Sequence, residues 1–255
     1  WHLASYWVEP NFDYVGYTQA FGSFGGDFSY KEQESWSPVT SGTFSLAATI
    51  DAAGKVVFTP SGDPSHVGFM NASKDVIITS DNAGEDYDFI AFVKQGSTYS
   101  AADLAGTWHI SSYAIDPDFA YVGYTQSVGS FGGDFSYVGG DSNVGSETGS
   151  FPLSASIDNT GKVLITQSDA EKPEGFMNAS KDVIIMVDHA DDTFNLAIMV
   201  KEVPQVTVTA FAGVNGDVSP EQAQLLPGLD QTFVAIPDTG YEVFEWRVDG
   251  AVSQT

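Results

Sequence analysis

The chain has 255 residues, 34 of them acidic against 9 lysines and arginines, a net charge of −25 and no cysteine. This charge repels phosphate backbones and anionic lipid headgroups, so we expect no nucleic-acid partner. The lack of cysteine excludes disulfides, thiolate metal sites and a cysteine nucleophile. No run approaches the ~18 apolar residues of a membrane-spanning helix, so we expect no membrane insertion. The length predicts roughly two domains.

The dominant feature of the chain is an internal repeat. Three long motifs recur, each 107 residues later: YVGYTQ at 14–19 and 121–126, GSFGGDFSY at 22–30 and 129–137, and GFMNASKDVII at 68–78 and 175–185. The register holds without a gap from Trp1 and Trp108 to Lys94 and Lys201. Two copies of this length predict two tandem domains of one fold rather than a solenoid. We therefore predict domains at 1–97 and 98–203, followed by a different segment at 204–255.

Each copy is predicted to be built from strands. In residues 24–30, Phe24, Phe28 and Tyr30 alternate with small or polar residues, which places them on one face of a strand. The sequences DAAG at 51–54 and DNTG at 158–161 have the Asp and Gly of hairpin turns. No window shows a 3.6-residue period. The fold class predicted is all-β: two tandem antiparallel β-barrels or β-sandwiches.

The last segment reads as short strands and turns and closely resembles the divergent internalin-type B-repeat, or bacterial repeat, module. The residues that carry the resemblance are Val206–Thr209, Asn215-Gly216, Ser219-Pro220 and those at 231–234, 237–241 and 248–250. The resemblance implies a small β-grasp-like module of large, repetitive bacterial secreted and surface proteins. It therefore implies an extracellular or cell-surface location, and we expect the chain to be a fragment of a longer protein.

The repeated domain has a second resemblance. The Gly-x-Trp sequence at 106–108 is similar to the opening of calycin barrels such as lipocalins and avidins. In that family a cationic residue late in the barrel packs on the Trp. The resemblance assigns this role to Lys94 over Trp1 and to Lys201 over Trp108. Another β-barrel or a β-sandwich remains open as an alternative.

An acidic hairpin is the candidate metal site. Several carboxylates close together in a flexible turn are the hard oxygen ligands that Ca²⁺ requires. The candidate ligands are Asp81, Glu85, Asp86 and Asp88 in the first copy and Asp188, Asp191 and Asp192 in the second. The spacing does not match an EF-hand. A solvated acidic turn without metal is the alternative interpretation, so Ca²⁺ is the one candidate cofactor.

The aromatic residues divide into two groups. Eight keep an aromatic counterpart in the second copy and are predicted to pack in the core: Trp1, Tyr6, Phe12, Tyr14, Tyr17, Phe24, Phe28 and Tyr30. Trp36 instead has Asn143 as its counterpart, so we expect it to face solvent. An exposed Trp beside carboxylates is typical of sugar stacking, which makes Trp36 the candidate ligand-binding residue.

No catalytic motif is present, and we expect no enzyme. The chain has no P-loop, no Gly-x-Ser-x-Gly and no His-Glu-x-x-His. The function expected is a non-catalytic bacterial surface or secreted repeat protein, stalk-like or adhesin-like, with Ca²⁺ as a candidate stabilising ion and an extracellular glycan or protein as a candidate partner. One alternative is a small-ligand or glycan-binding barrel, with an apolar molecule among Trp1, Phe24 and Phe28 and their counterparts. The other is a fragment of a carbohydrate-active enzyme.

Overall fold

The computed structural model describes residues 1–11, 13–60, 65–81, 87–143, 145–166, 172–190 and 193–254. The first copy is a closed antiparallel barrel in which each strand pairs with the next and the last pairs with the first. Its strands are β1 (His2–Val8), β2 (Val15–Gly22), β3 (Gly26–Glu34), β4 (Thr40–Ile50), β5 (Lys55–Pro60), β6 (His66–Met70), β7 (Val76–Asp81) and β8 (Tyr87–Val93). Of the two fold types predicted for each copy, the structure confirms the barrel.

The second copy repeats this topology. A short 3₁₀ helix at Ala101–Leu104 leads into a barrel that closes between its first and last strands. The strands are β9 (Trp108–Ile115), β10 (Val122–Gly129), β11 (Gly133–Asp141), β12 (Gly145–Ile157), β13 (Lys162–Thr166), β14 (Glu174–Met177), β15 (Val183–Ala190) and β16 (Thr193–Lys201). Two closed eight-stranded barrels also agree with the calycin resemblance.

Alternation along each strand separates the inside of a barrel from its outside. The first core combines fully buried Phe28 with Leu3, Phe58, Ile77 and Phe92. The second core uses the equivalent positions, among them Ile110, Phe135, Ile165, Ile184 and Met199. Inward-facing side chains from every strand therefore form one core inside each barrel.

One end of each barrel is closed by the opening Trp. Trp108 is fully buried, and its Nε1 donates a hydrogen bond of 2.9 Å to the carbonyl of Leu104. Lys201 Nζ lies 5.6 Å from the centre of the Trp108 ring, which confirms the predicted contact. Gly106 lies at φ +113°, and a Cβ there would lie 3.0 Å from Lys201 Cε. The glycine of the Gly-x-Trp sequence thus leaves room for the lysine over the indole.

Both predicted hairpin turns form through their Asp and Gly. Asp51 Oδ1 accepts hydrogen bonds of 2.9 Å from the amides of Ala53 and Lys55, and Gly54 lies at φ +83°. Asp158 and Gly161 repeat this arrangement in the second barrel. These local bonds are the reason that the chain reverses at the same place in both copies.

The two barrels pack into one compact unit, Trp1–Glu202. The surface of the first barrel in this contact is called face A: His2, Tyr6, Tyr17, Gln19, Lys31 and Asp75. The surface of the second barrel is called face B: Glu174, Phe176, Asn178, Ser180, Val187 and Phe194. Outward-facing side chains of both barrels form a third apolar cluster here, which includes Tyr6, Tyr17, Val187 and Phe194. Strand β1 is consequently buried on both sides.

Directional contacts fix the position of one face on the other. The His2 ring stacks on Phe176 with centroids 3.9 Å apart. Gln19 Nε2 donates to the carbonyls of Glu174 and Val187, at 3.1 and 2.6 Å. Lys31 Nζ lies 3.4 Å from Glu174 Oε2. Apolar packing together with these bonds makes the contact specific.

The rest of the chain, Val203–Thr255, forms a second compact unit. It contains three two-stranded sheets, which pair β17 (Val206–Thr209) with β19 (Gln222–Leu225), β18 (Gly216–Ser219) with β20 (Val234–Pro237), and β21 (Trp246–Val248) with β22 (Ala251–Gln254). Among the described residues of the whole chain, no helix has the length and apolar character needed to cross a membrane.

Candidate functional site in the first barrel

The first barrel contains a cavity of about 370 Å³. Its apolar wall is formed by Leu3, Phe44, Leu46, Phe58, Ile90 and Phe92. The side chains of Ser5, Thr18, Tyr30, Glu32, His66 and Thr79 add polar atoms to the lining. A largely apolar pocket with a few convergent polar groups is the usual form of a small-molecule site.

A row of side chains across five neighbouring strands forms much of this lining. Strand pairing places Glu32 beside Thr18, Thr18 beside Ser5, Ser5 beside Ile90, and Ile90 beside Thr79. Thr18 Oγ1 donates to Glu32 Oε2 at 3.3 Å, and Thr79 Oγ1 donates to the carbonyl of Val67 at 2.8 Å. The row therefore presents hydroxyls and one carboxylate at a single level of the barrel.

The same row is different in the second barrel. Pairing there places Gly139, Thr125, Ser112, Ala197 and Met186 at the corresponding positions. The carboxylate of Glu32 is thus replaced by a glycine, and the short Thr79 by the long Met186. Met186 is 9% exposed and belongs to the apolar core of its barrel. The carboxylate of Glu32 and the hydroxyl of Thr79 are therefore specific to the row of the first barrel.

The aromatic pairs predicted to hold a ligand have another role. Phe24 packs on Trp1 with centroids 5.4 Å apart, and on Phe58 and Phe92 at 5.8 and 5.4 Å. Trp108 packs on Phe131 in the same way at 5.7 Å. Trp1, Phe24 and Phe28 are outside the set that lines the cavity, so a ligand among these rings stays a prediction. Ring packing fills this end of the barrel, and the cavity lies further along its axis.

Trp36 and Trp7 lie near the end of the barrel where the cavity row sits. Trp36 follows β3 in the turn to β4, at φ +66° and 75% exposed, which confirms that it faces solvent. Trp7 continues the inward-facing series of Leu3 and Ser5, and its indole lies directly against Gly16. Ala114 stands at the position of Trp7 in the second copy, so an indole is present here in the first barrel alone.

Three of the predicted calcium ligands lie in described strands: Asp81 in β7, Asp88 in β8 and Asp188 in β15. Asp81 is paired with Asp88 across β7 and β8, and Asp188 with Asn195 across β15 and β16. Glu85, Asp86, Asp191 and Asp192 lie outside the described residues. In the described part of the chain, no group of three or more His, Asp or Glu side chains is arranged to hold a metal ion. The calcium site stays a prediction.

Two ionisable side chains are buried at the contact between the barrels. Burial, together with the charge of the N-terminal amine, lowers the pKa of His2 to about 4, although Asp158 acts in the opposite direction. Burial alone would raise the pKa of Asp75, but hydrogen bonds from Ser180, Asn71 and Asn178 outweigh it and hold this pKa below its ordinary value. Folding therefore favours a neutral His2 and an ionised Asp75.

Sequence reasoning missed the cavity row, although a signal was present. Thr18 and Ser5 are kept as Thr125 and Ser112, whereas Glu32, Ile90 and Thr79 all change between the copies. Ile90 and Thr79 lie on the paired strands β8 and β7, and Glu32 lies on β3, which joins them in one row through β2 and β1 only once the barrel closes. A comparison of inward-facing positions between the copies would have found them.

The second unit carries a groove of its own. This space of about 390 Å³ is lined by residues of the segments 211–218, 235–237 and 241–246. Phe211 and Phe244 border it and are 88% and 83% exposed. The unit is therefore rich in exposed aromatic surface for its size.

Comparison with known proteins identifies the second unit. Residues 206–255 match the model of the Divergent InlB B-repeat domain, which confirms the resemblance seen in the sequence. No curated protein matches the chain. A solved protein of unknown function from the DUF3598 family of Nostoc punctiforme is similar at 9% identity, over 79% of this chain and 95% of its own, with a TM-score of 0.26. Residues 206–255 thus match a divergent InlB B-repeat domain, and two β-barrels precede them.

Proposed function

We propose that this chain is a non-catalytic binding part of a bacterial surface or secreted protein, and that its first barrel holds a small, mostly apolar molecule. The cavity of about 370 Å³ with its row of polar side chains is the observation that carries the proposal. Small-molecule sites commonly occupy about 300–1,000 Å³, so the ligand would be at the small end of that range. The match to a B-repeat domain supports the surface or secreted location.

Charge narrows the class of ligand. The lining contains the Glu32 carboxylate, and the chain as a whole has a net charge of −25. An anionic molecule would therefore be repelled, both on approach and in the cavity. A neutral or cationic ligand with a hydroxyl or amine could donate a hydrogen bond to Glu32 while its apolar body contacts Phe44, Phe58 and Phe92.

The test is a fluorescence titration with N-phenyl-1-naphthylamine, a neutral aromatic probe. Thr79→Met gives the first barrel the side chain that the second barrel has at the same position, Met186. We expect this change to fill the row and weaken probe binding at least about tenfold, a loss of about 1.4 kcal/mol. Ile78→Met is the matched control, because the neighbouring side chain points outward and is 42% exposed. Equal probe binding by both variants would contradict the proposal.

A stalk-like or adhesin-like role is the second candidate. The packing of two barrels into one compact unit favours it, because such a unit keeps a fixed spacing between its ends. Trp36, 75% exposed, is the side chain proposed to meet an extracellular glycan or protein. Trp36→Ala should then reduce retention on immobilised glycans and leave binding of the naphthylamine probe unchanged.

A further inference from the structure

The contact between the barrels joins two different surfaces. Face A belongs to the first barrel and face B to the second, so the contact is heterologous rather than two-fold symmetric. Because both barrels have the same fold, each also carries the other face. The chain therefore has an unused copy of face A on its second barrel and an unused copy of face B on its first.

The unused faces keep most of the residues that make the internal contact. The unused face A has His109, Tyr124, Gln126, Val138 and Asp182 where the used one has His2, Tyr17, Gln19, Lys31 and Asp75. Tyr113, the counterpart of Tyr6, lies at its border and already packs edge to face on Tyr6, with centroids 6.5 Å apart. The unused face B has Val67, Phe69, Asn71, Ser73, Ser80 and Tyr87 where the used one has Glu174, Phe176, Asn178, Ser180, Val187 and Phe194. The stacked His and Phe, the bonding Gln and the Asp with its Asn and Ser partners are all repeated.

Exposure separates the used faces from the unused ones. Tyr17 is 6% exposed in the internal contact, whereas Tyr124 is 48% exposed. Phe69, which corresponds to the ring stacked on His2, is 66% exposed, and Tyr87 is 58% exposed. Neighbouring apolar side chains that remain in water in this way mark an interaction surface.

Two of the residues that differ between the used and unused faces would lie opposite each other in a repeated contact. In the internal contact, Glu174 pairs with Lys31 of the other barrel at 3.4 Å and with Lys162 of its own barrel at 2.6 Å. At the two unused faces the corresponding residues are Val138 and Val67, which are 49% and 41% exposed. Both members of a charged pair have thus changed to valine together, although they stand in different barrels of this chain. A valine on one face matched by a valine on the other is what an apolar contact between them requires.

We propose that a second copy of this chain docks end to end, with the unused face A of one copy on the unused face B of the next. The contact repeats the internal one, with Val138 against Val67 in place of the ion pair. A heterologous contact extends into an open chain of copies or closes into a ring. No linker joins the copies, so the contact is weaker than the internal one. Salt strengthens it, because the two highly acidic copies repel each other at low ionic strength.

The test is sedimentation velocity on the full chain, from about 1 to about 500 µM in about 0.5 M NaCl. We expect the mean mass to rise with concentration. Val138→Lys alone places an unpaired charge in the contact. Val67→Glu alone places a carboxylate against an apolar face, with Lys55 of its own barrel, the counterpart of Lys162, beside it. Each should raise the apparent Kd at least about tenfold. The double variant V138K/V67E recreates the ion pair of Lys31 and Glu174 and should recover association.

An equimolar mixture of the two single variants sharpens the test. Lysine then meets glutamate at one kind of junction and valine meets valine at the other, so the mixture should associate more tightly than either variant alone. Val39→Glu, at a 55% exposed residue outside both unused faces, controls for added charge. The proposal is overturned if the chain stays monomeric throughout, if the single variants associate like the parent, or if neither the double variant nor the mixture recovers. Thermal melts of the variants check that these surface changes leave the barrels folded.

Discussion

The carboxylate of Asp75 is buried at the contact between the barrels and accepts hydrogen bonds from both of them. It is 2% exposed, and its Oδ1 accepts a 2.9 Å hydrogen bond from Asn71 in its own turn. Its Oδ2 accepts bonds from Asn178 and from the amide of Ser180 in the other barrel, at 3.0 and 2.7 Å. A buried carboxylate is tolerated because all these donors satisfy it.

Asp75→Asn should destabilise the two-barrel unit by about 2–4 kcal/mol. The new NH₂ group would face the N–H donors of Asn71, Asn178 and Ser180 and cannot accept their hydrogen bonds. The measurement is urea unfolding followed by far-ultraviolet circular dichroism. Asp51→Asn is the control, because Asp51 Oδ1 accepts its bonds from the amides of Ala53 and Lys55 within its own turn. A loss at Asp51 as large as that at Asp75 would mean that the contact between barrels contributes nothing through this group.

His2 gives the contact a dependence on pH. Its pKa is about 4 in the folded chain and 6.5 for an unperturbed histidine, so between these values the unfolded chain binds more protons. The free energy of unfolding should therefore rise with pH across this window. The stability that His2 contributes is lost as the pH falls from about 6.5 toward 4. Urea unfolding at a series of pH values measures this slope.

Two phenylalanine variants isolate the contribution of His2. His2→Phe keeps a ring on Phe176 and removes the titrating group, so the slope between pH 4 and 6.5 should become shallower. His109→Phe changes the equivalent residue, which is exposed on the second barrel, and should leave the slope as it is. If both variants keep the parent slope, the acid sensitivity belongs to other groups.

At the scale of strands and turns, much of the fold could be predicted. The 107-residue repeat predicts two domains of one fold, and alternation predicts that Phe28 faces a core. Asp51 and Gly54 have the chemistry of the turn that they form. Each of these inferences depends on a few neighbouring residues or on direct comparison of the copies, so no long-range pairing is needed.

The contact between the barrels could not be predicted in this way. Tyr6 and Tyr17 keep aromatic counterparts and were expected in the core, yet they point out of their barrel and are buried by the other copy. Tyr14 is 42% exposed, and Phe12 lies outside the described residues. The same tyrosines recur as Tyr113 and Tyr124 because both copies carry both faces. Conservation between copies therefore marks two kinds of buried surface that the sequence cannot separate.

The cavity was hidden for a different reason. Its volume depends on the sizes of inward-facing side chains from many strands. No pattern within one strand indicates how much space these side chains leave together. Thr79 and Met186 show this most clearly, because each is acceptable in a strand and their difference matters only inside a closed barrel. The ligand was therefore expected beside Trp1 and Phe24, whose aromatic rings were the visible signal.

At the scale of the whole molecule, 34 acidic residues face few cations. Calcium bound in the acidic hairpins would neutralise part of this negative charge, and its binding is a testable prediction. Scanning calorimetry in EDTA and in about 1 mM CaCl₂ at fixed ionic strength measures it, since an ion at 100 times its Kd adds about 2.7 kcal/mol to stability. A midpoint raised by Ca²⁺ and not by equal Mg²⁺ is the expected result. Identical unfolding midpoints in all three solutions would contradict the calcium prediction and would mean that the carboxylates are solvated, mutually repelling surface charges.

The two-barrel unit and the B-repeat module together give a consistent picture of the molecule. The barrels are held by an apolar contact with directional hydrogen bonds from Gln19 and to Asp75, and one of them has a lined cavity. The second unit matches a bacterial surface-type repeat. We therefore infer a protein that presents one small-molecule site per chain, carried in the first barrel, and that can extend by repeating its internal contact.

The most direct measurement is the stoichiometry of naphthylamine binding to the full chain by isothermal titration calorimetry. One saturable site per chain is expected, lost in Thr79→Met and kept in Ile78→Met. That result would place the ligand in the polar row of the first barrel. The absence of saturable binding, or one site that survives Thr79→Met unchanged, would contradict a ligand site in this barrel.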